Sequence, residues 1–170
     1  IPVQADAHFL PFATGFFDAI VSVDAYHYFG TDDLYLAYLV GFLRAGCQIG
    51  IVVPAVSEEM SLEVSEEIAP FWEPAFYSFH SPHWWEAHWR KAGVVDVVLA
   101  DAVVDGWADW LRFAEITLPS LSGSRLAATQ REIAMLRADD GKRLGFARVD
   151  AAKPPTPAPT ATYPSVGTGA

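Results

Sequence analysis

The chain has 170 residues, of which 52% are hydrophobic and 19% charged, a composition that suits one packed globular domain with a single core. Its formal net charge of −10, with basic residues paired only briefly at Arg90-Lys91 and Lys142-Arg143, argues against nucleic-acid binding, because phosphate affinity needs clustered Lys and Arg. Cys47 is the only cysteine, so neither an internal disulfide nor a thiolate metal cage can form.

Residues 2–5 read as the end of a short strand with Asp6 at its carboxyl edge. Residues 19–23 are a continuous apolar run, as expected of a parallel strand covered on both faces. Thr31 offers a helix cap, Asp32 and Asp33 suit the positive helix end, and Leu36, Leu39, Val40 and Leu43 follow at helical spacing. Arg44 and Gly46 close that helix, and residues 48–53 form another buried strand stopped by Pro54. Residues 57–68 are acidic and read as a helix, and an aromatic loop fills residues 70–80.

Ser81-Pro82 is a helix start, with Ser as cap and Pro in the first turn. Trp85, His88, Trp89 and Ala92 then share one face before Gly93. Residues 94–100 read as a strand; Trp107, Trp110, Leu111 and Ala114 mark a helix that Pro119 stops; residues 125–138 form a further helix; residues 143–149 alternate as a last strand. From Lys153 onward Pro, Thr, Ala and Gly dominate without periodicity, which reads as a disordered tail. The chain therefore divides into an α/β domain over residues 1–150 and a tail over residues 151–170, and the alternation of strand and helix favours a mostly parallel sheet.

The run Asp6-Ala7 with Leu10-Pro11-Phe12, then Phe17-Asp18-Ala19-Ile20-Val21-Ser22, resembles the middle of a class I S-adenosylmethionine-dependent methyltransferase. Leu43-Arg44-Ala45-Gly46-Cys47 stands where that family carries Leu-Arg-Pro-Gly-Gly, with Ala45 for the proline and Cys47 for the second glycine. The resemblance covers residues 3–54 by motif and the rest only by topology. It implies a three-layer Rossmann-like sheet whose strands lie in the order third, second, first, fourth, fifth, seventh, sixth. This chain would enter that sheet at the third strand, lacking the first two, and would keep one antiparallel strand near its C-terminus.

The same resemblance implies S-adenosylmethionine as cofactor and a small molecule as methyl acceptor. It places Asp6, Ala7, Ser22, Val23 and Asp24 on the cofactor side, with Asp6 accepting from the adenine amine. Read without the family, Asp6 caps the following turn equally well. Tyr26 and His27 would face the acceptor, and His27 would be the base where the acceptor needs a proton removed; otherwise it is a half-buried structural histidine. The expected fragment lacks the glycine-rich loop that lets backbone approach such a ligand, so it would bind cofactor weakly or not at all. The second expectation is a non-catalytic α/β module that associates with itself or a partner through an exposed edge strand.

The aromatic belt over Phe71-Trp72, Phe76 to His80 and Trp84-Trp85 offers either a lid over an apolar acceptor or a core stripe. Trp72, Tyr77 and His80 are its acceptor-side candidates, while the spacing of Trp85 and Trp89 suits a core. His80, His83 and His88 cannot all share a helix face, so no metal site is expected. Neither a Gly-x-Ser-x-Gly elbow nor a phosphate loop occurs. Apolar stretches fall short of the roughly 20 residues a membrane span needs, and no secretory leader is evident. The reading is a cytoplasmic protein with no membrane or nucleic-acid partner.

Overall fold

The computed structural model describes residues 1–59 and 64–155. In chain order its elements are β1 (Phe17–Val23), α1 (Tyr35–Gly41), β2 (Leu43–Val56), α2 (Pro82–Ala92), β3 (Asp96–Ala102), α3 (Gly106–Thr117), α4 (Gly123–Asp139) and β4 (Leu144–Ala152). The sheet order is β1-β2-β4-β3. β1 pairs parallel with β2, and β4 runs antiparallel to both β2 and β3. Three strands thus point one way and the C-terminal strand points back. The order is that expected for the fourth, fifth, seventh and sixth strands of the family sheet.

The pleat explains the layering. Ile49, Ile51 and Val53 of β2 pair with Ala151, Val149 and Ala147 of β4, and all six are at most 2% exposed. Alternation puts them on one face, where Leu36, Leu39 and Val40 of α1 and Trp85 and Trp89 of α2 complete the core. Phe146 stands on the opposite pleat, and its ring lies 5.2 Å from that of Trp110 in α3. There α3 and α4 cover the end of the sheet, held by Trp107 Nε1, which donates to the Leu136 carbonyl at 2.8 Å.

α2 forms as its sequence dictates. The Ser81 hydroxyl accepts from the Trp84 N–H, Pro82 opens the helix, and Gly93 leaves it at φ 66°. Other elements depart from expectation. Residues 2–5 make no strand, because no partner strand among the described residues completes their hydrogen bonds. α1 begins at Tyr35 rather than after Thr31, since the Asp32 carboxylate takes the Leu34 N–H in a local turn that competes with the helix. β2 starts at Leu43 and absorbs the Ala45-Gly46-Cys47 turn as an irregularity, its partner jumping from Leu43 to Gln48 between Phe17 and Ala19.

The helix expected over residues 57–68 lies partly outside the described residues; the described ones form bends and turns. Glu59 is drawn instead to the start of α2, where its carboxylate accepts the Ser81 N–H at 2.6 Å. Of the tail expected over residues 151–170, residues 156–170 lie outside the description, while Ala151 and Ala152 belong to β4, paired with Ile49 and Gln48 of β2, and Lys153 is bonded to the body of the domain. Its Nζ donates to the carbonyls of Val40 in α1 and Leu43 at the start of β2.

Candidate functional site

β1 and β2 deliver their C-terminal ends to one edge of the sheet, the edge where ligands bind in open α/β folds. Asp24 follows β1 immediately in the left-handed region, at φ 54°, a conformation Asp tolerates better than most residues. Its N–H donates to the Val52 carbonyl at 2.8 Å, which turns the chain off the sheet and leaves the carboxylate at the edge. Desolvation raises that carboxyl above its ordinary range.

Asp6 and Ala7 reach the same end by a different route. The Tyr35 hydroxyl donates to the Ala7 carbonyl at 3.1 Å, and the Tyr38 hydroxyl accepts from the Leu10 N–H at 2.7 Å. These bonds fasten the N-terminal segment along α1. The Tyr35 ring in turn lies 5.8 Å from that of Tyr26, so one tyrosine joins the Asp6 turn to the loop after Asp24. Asp6 Oδ1 accepts the His8 N–H at 2.8 Å and lies 3.2 Å from His8 Nδ1, which holds the carboxyl below its usual range. Asp6 therefore does cap its own turn, while none of these bonds uses its Oδ2. Ser22 is half-buried and Val23 exposed beside them.

The two loop aromatics separate. Tyr26 is fully buried, with its ring 5.7 to 5.8 Å from those of Phe29, Trp85 and Trp89. Gly30 makes that packing possible, since a Cβ there would sit 2.0 Å from the Tyr26 ring. Tyr26 thus lies in the core rather than on an accessible acceptor surface. His27 is 1% exposed, lying 3.9 Å from the Tyr28 ring and 5.6 Å from Phe79. Its Nδ1 has no hydrogen-bond partner among the described residues. Burial pushes its pKa down to about 4, so the imidazole is neutral at pH 7 and a weak base.

An aromatic row leads away from His27. Phe79 stacks on Phe76 at 5.0 Å, and Trp72 packs against Phe76 at 5.4 Å and Tyr77 at 5.9 Å. The structure thus connects His27, Trp72 and Tyr77. His80 stands apart: its ring stacks on Trp84 at 3.6 Å, and its Nδ1 lies 3.0 Å from a Glu59 oxygen.

The row also reaches residues that sequence reading missed. Phe79 lies 6.1 Å from Trp110, and Trp110 helps wall a cavity of about 230 Å³ that includes Asp24, Phe113, Glu132 and Phe146. Trp110 Nε1 donates to Glu132 Oε1 at 2.7 Å. Burial, with the nearby Asp24 charge adding to it, raises the Glu132 carboxyl, against the Trp110 bond that lowers it. Glu132 carries no local signal, because its partner Asp24 is distant in sequence. Trp110 reads from spacing only as a helix face. A separate hollow of about 360 Å³ beside Lys142 and Arg143 includes none of the residues singled out from sequence.

No protein-family model matches the chain, and no curated protein matches it in sequence. Solved structures do match in fold. The [4+2]-cyclase SpnF aligns with a TM-score of 0.65 and 18% identity over 89% of this chain and 56% of its own. Phosphoethanolamine N-methyltransferase 2 of Haemonchus contortus aligns with a TM-score of 0.61 and 16% identity over 88% of this chain and 36% of its own. A putative sarcosine dimethylglycine methyltransferase from Galdieria sulphuraria gives a TM-score of 0.61 and 12% identity over 89% and 58%. The chain spans between 36% and 58% of the length of these three structures.

Proposed function

We propose, from the premise that this chain has the fold of the class I S-adenosylmethionine-dependent methyltransferases, that its protein transfers a methyl group from S-adenosylmethionine to a small-molecule acceptor. The observation that carries the reading is the strand order of the sheet, with the Asp6-Ala7 turn fastened through Tyr35 to Tyr26, in the loop that follows Asp24 at the carboxyl end of β1. An acidic turn and an acidic strand end at one sheet edge suit a ligand with an amine at one end and a cationic centre at the other. When bound, the cofactor supplies an activated methyl group at its sulfonium.

The chain's own residues then bind, orient and exclude water. Methyl transfer is an in-line displacement, for which alignment and a dry pocket supply most of the acceleration. The free Oδ2 of Asp6 is suited to an amine donor, and Ser22, Val23 and Asp24 form the neighbouring rim. Trp72 and Tyr77 belong to an aromatic row that runs through Phe76 and Phe79 to Trp110, and so support the acceptor side from behind. His27 holds an unprotonated nitrogen at neutral pH, the state a proton acceptor needs, although its low basicity limits that role to acceptors that lose a proton easily.

Calorimetric titration with S-adenosylmethionine tests the reading. No Gly-x-Gly-x-x-Gly occurs in these 170 residues, so the chain alone is expected to bind weakly. A protein extended by its upstream coding sequence is expected to bind at micromolar concentration and to lose affinity in Asp6→Ala. Failure of the extended protein to bind overturns the assignment. A second reading, a non-catalytic module joined through the edge of β1, is favoured by one observation: that strand ends the sheet with Val21 75% and Val23 65% exposed. One neighbour of this fold is named for a cyclisation, so the fold by itself does not dictate methyl transfer.

A further inference from the structure

The cavity between β1, α3 and α4 has a lining of unusual chemistry. Trp110 and Phe113 of α3 and Phe146 of β4 give it aromatic walls, and Asp24, Asp109 and Glu132 bring carboxylates from three separate elements. No lysine, arginine or histidine lines it. None of the three carboxylates is in an ion pair among the described residues, whereas Asp18, Asp33, Glu86 and Asp101 elsewhere all have cationic partners. Residues 60–63 and 156–170, outside the description, contain no Lys, Arg or His, so they hold no side chain that could supply the missing charge.

We infer that this cavity is the acceptor pocket and that it takes an organic cation of the alkylammonium class. The inference rests on the methyl-transfer reading for its role and on the cavity lining for its ligand. Aromatic faces attract a cation through their negative quadrupole, most strongly where water is excluded. Carboxylates add charge at the rim, while the Trp110 N–H holds Glu132 in place at 2.7 Å. Burial is the main reason the Glu132 carboxyl is raised, with the Asp24 charge adding to it, and a bound ammonium would offset both. A metal ion is a poorer fit, because no group of three or more His, Cys, Asp or Glu among the described residues is arranged to hold one. The volume of about 230 Å³ admits a small amine. Asp24 closes β1 and also lines this cavity, which sets the amine next to the edge where the methyl donor is proposed.

The test is calorimetric titration of the chain at pH 7.5 with choline and with its neutral isostere 3,3-dimethylbutan-1-ol, in parallel with S-adenosylhomocysteine. Choline is expected to bind and the isostere to bind at least about tenfold more weakly, the ratio that loss of a cation–π and charge contact gives. Glu132→Gln and Phe113→Ala are each expected to weaken choline about tenfold, with circular dichroism confirming that both variants stay folded. Glu115→Gln, outside this cavity, is expected to leave choline binding unchanged and controls for general charge. Equal binding of choline and the isostere, or choline binding indifferent to both variants, overturns the inference. Those results leave the methyl-transfer reading untouched, which fails instead if the extended protein binds choline but neither S-adenosylmethionine nor S-adenosylhomocysteine.

Discussion

The imidazole of His27 is 1% exposed, sits between Tyr28 and Phe79, and titrates near 4. An exposed histidine in the unfolded chain titrates near the ordinary 6.5, so as pH falls through 6.5 the unfolded state takes up the proton first. Folding stability is therefore full above that pH and is lost down to about 4, with a total on the order of 3 kcal/mol. Urea unfolding at pH 7 and pH 4.5 is expected to show His27→Gln losing roughly 2 kcal/mol less than the wild type over that interval. Coincident pH profiles for the two proteins would show that His27 is not held neutral. Gly30 illustrates the opposite case, a residue with no chemistry whose lack of a side chain lets Tyr26 lie flat in the core.

α2 is the element whose sequence and structure agree most closely. Its cap, opening proline, apolar face and closing glycine all agree, and its two buried tryptophans fill the space under β2 and β4. Ser81→Ala removes the acceptor of the Trp84 N–H and is expected to cost about 1 kcal/mol in urea unfolding. Unchanged stability would place the cap on the Glu59 carboxylate, which already accepts the Ser81 N–H. α1 and the first residues of the chain show the reverse. Asp32 and Thr31 look like a helix start, yet the Asp32 side chain satisfies the Leu34 N–H in a turn and delays the helix to Tyr35. Residues 2–5 have strand composition, but a strand exists only through a neighbour's hydrogen bonds.

At the scale of the molecule, β1 ends the sheet and shows Val21 and Val23 to solvent. Unpaired edge groups flanked by apolar side chains form a template for another strand. Light scattering over rising concentration is expected to show association of this chain, and Val21→Lys to reduce it, since an edge lysine blocks strand addition. A monomer at all concentrations removes the reading in which β1 serves as an interaction edge. No helix among the described residues is long and apolar enough to cross a membrane.

The sequence by itself determined the α/β class and the placement of β1, α2, β3, α3, α4 and β4 to within a few residues, and the presence of β2 though not its early start at Leu43. Those signals are local: apolar runs, periodicity and caps act over a few residues along the chain. It could also name His27, but not that the side chain is sealed between Tyr28 and Phe79, nor that Tyr26 beside it is core. Only the tertiary structure brought Glu132 and Trp110 of two helices against Asp24 at the end of β1. The physical reason is that a pocket's charge and walls are sums over residues distant in the chain. No window of sequence contains such a sum until the sheet order β1-β2-β4-β3 has folded α3 and α4 back over its edge.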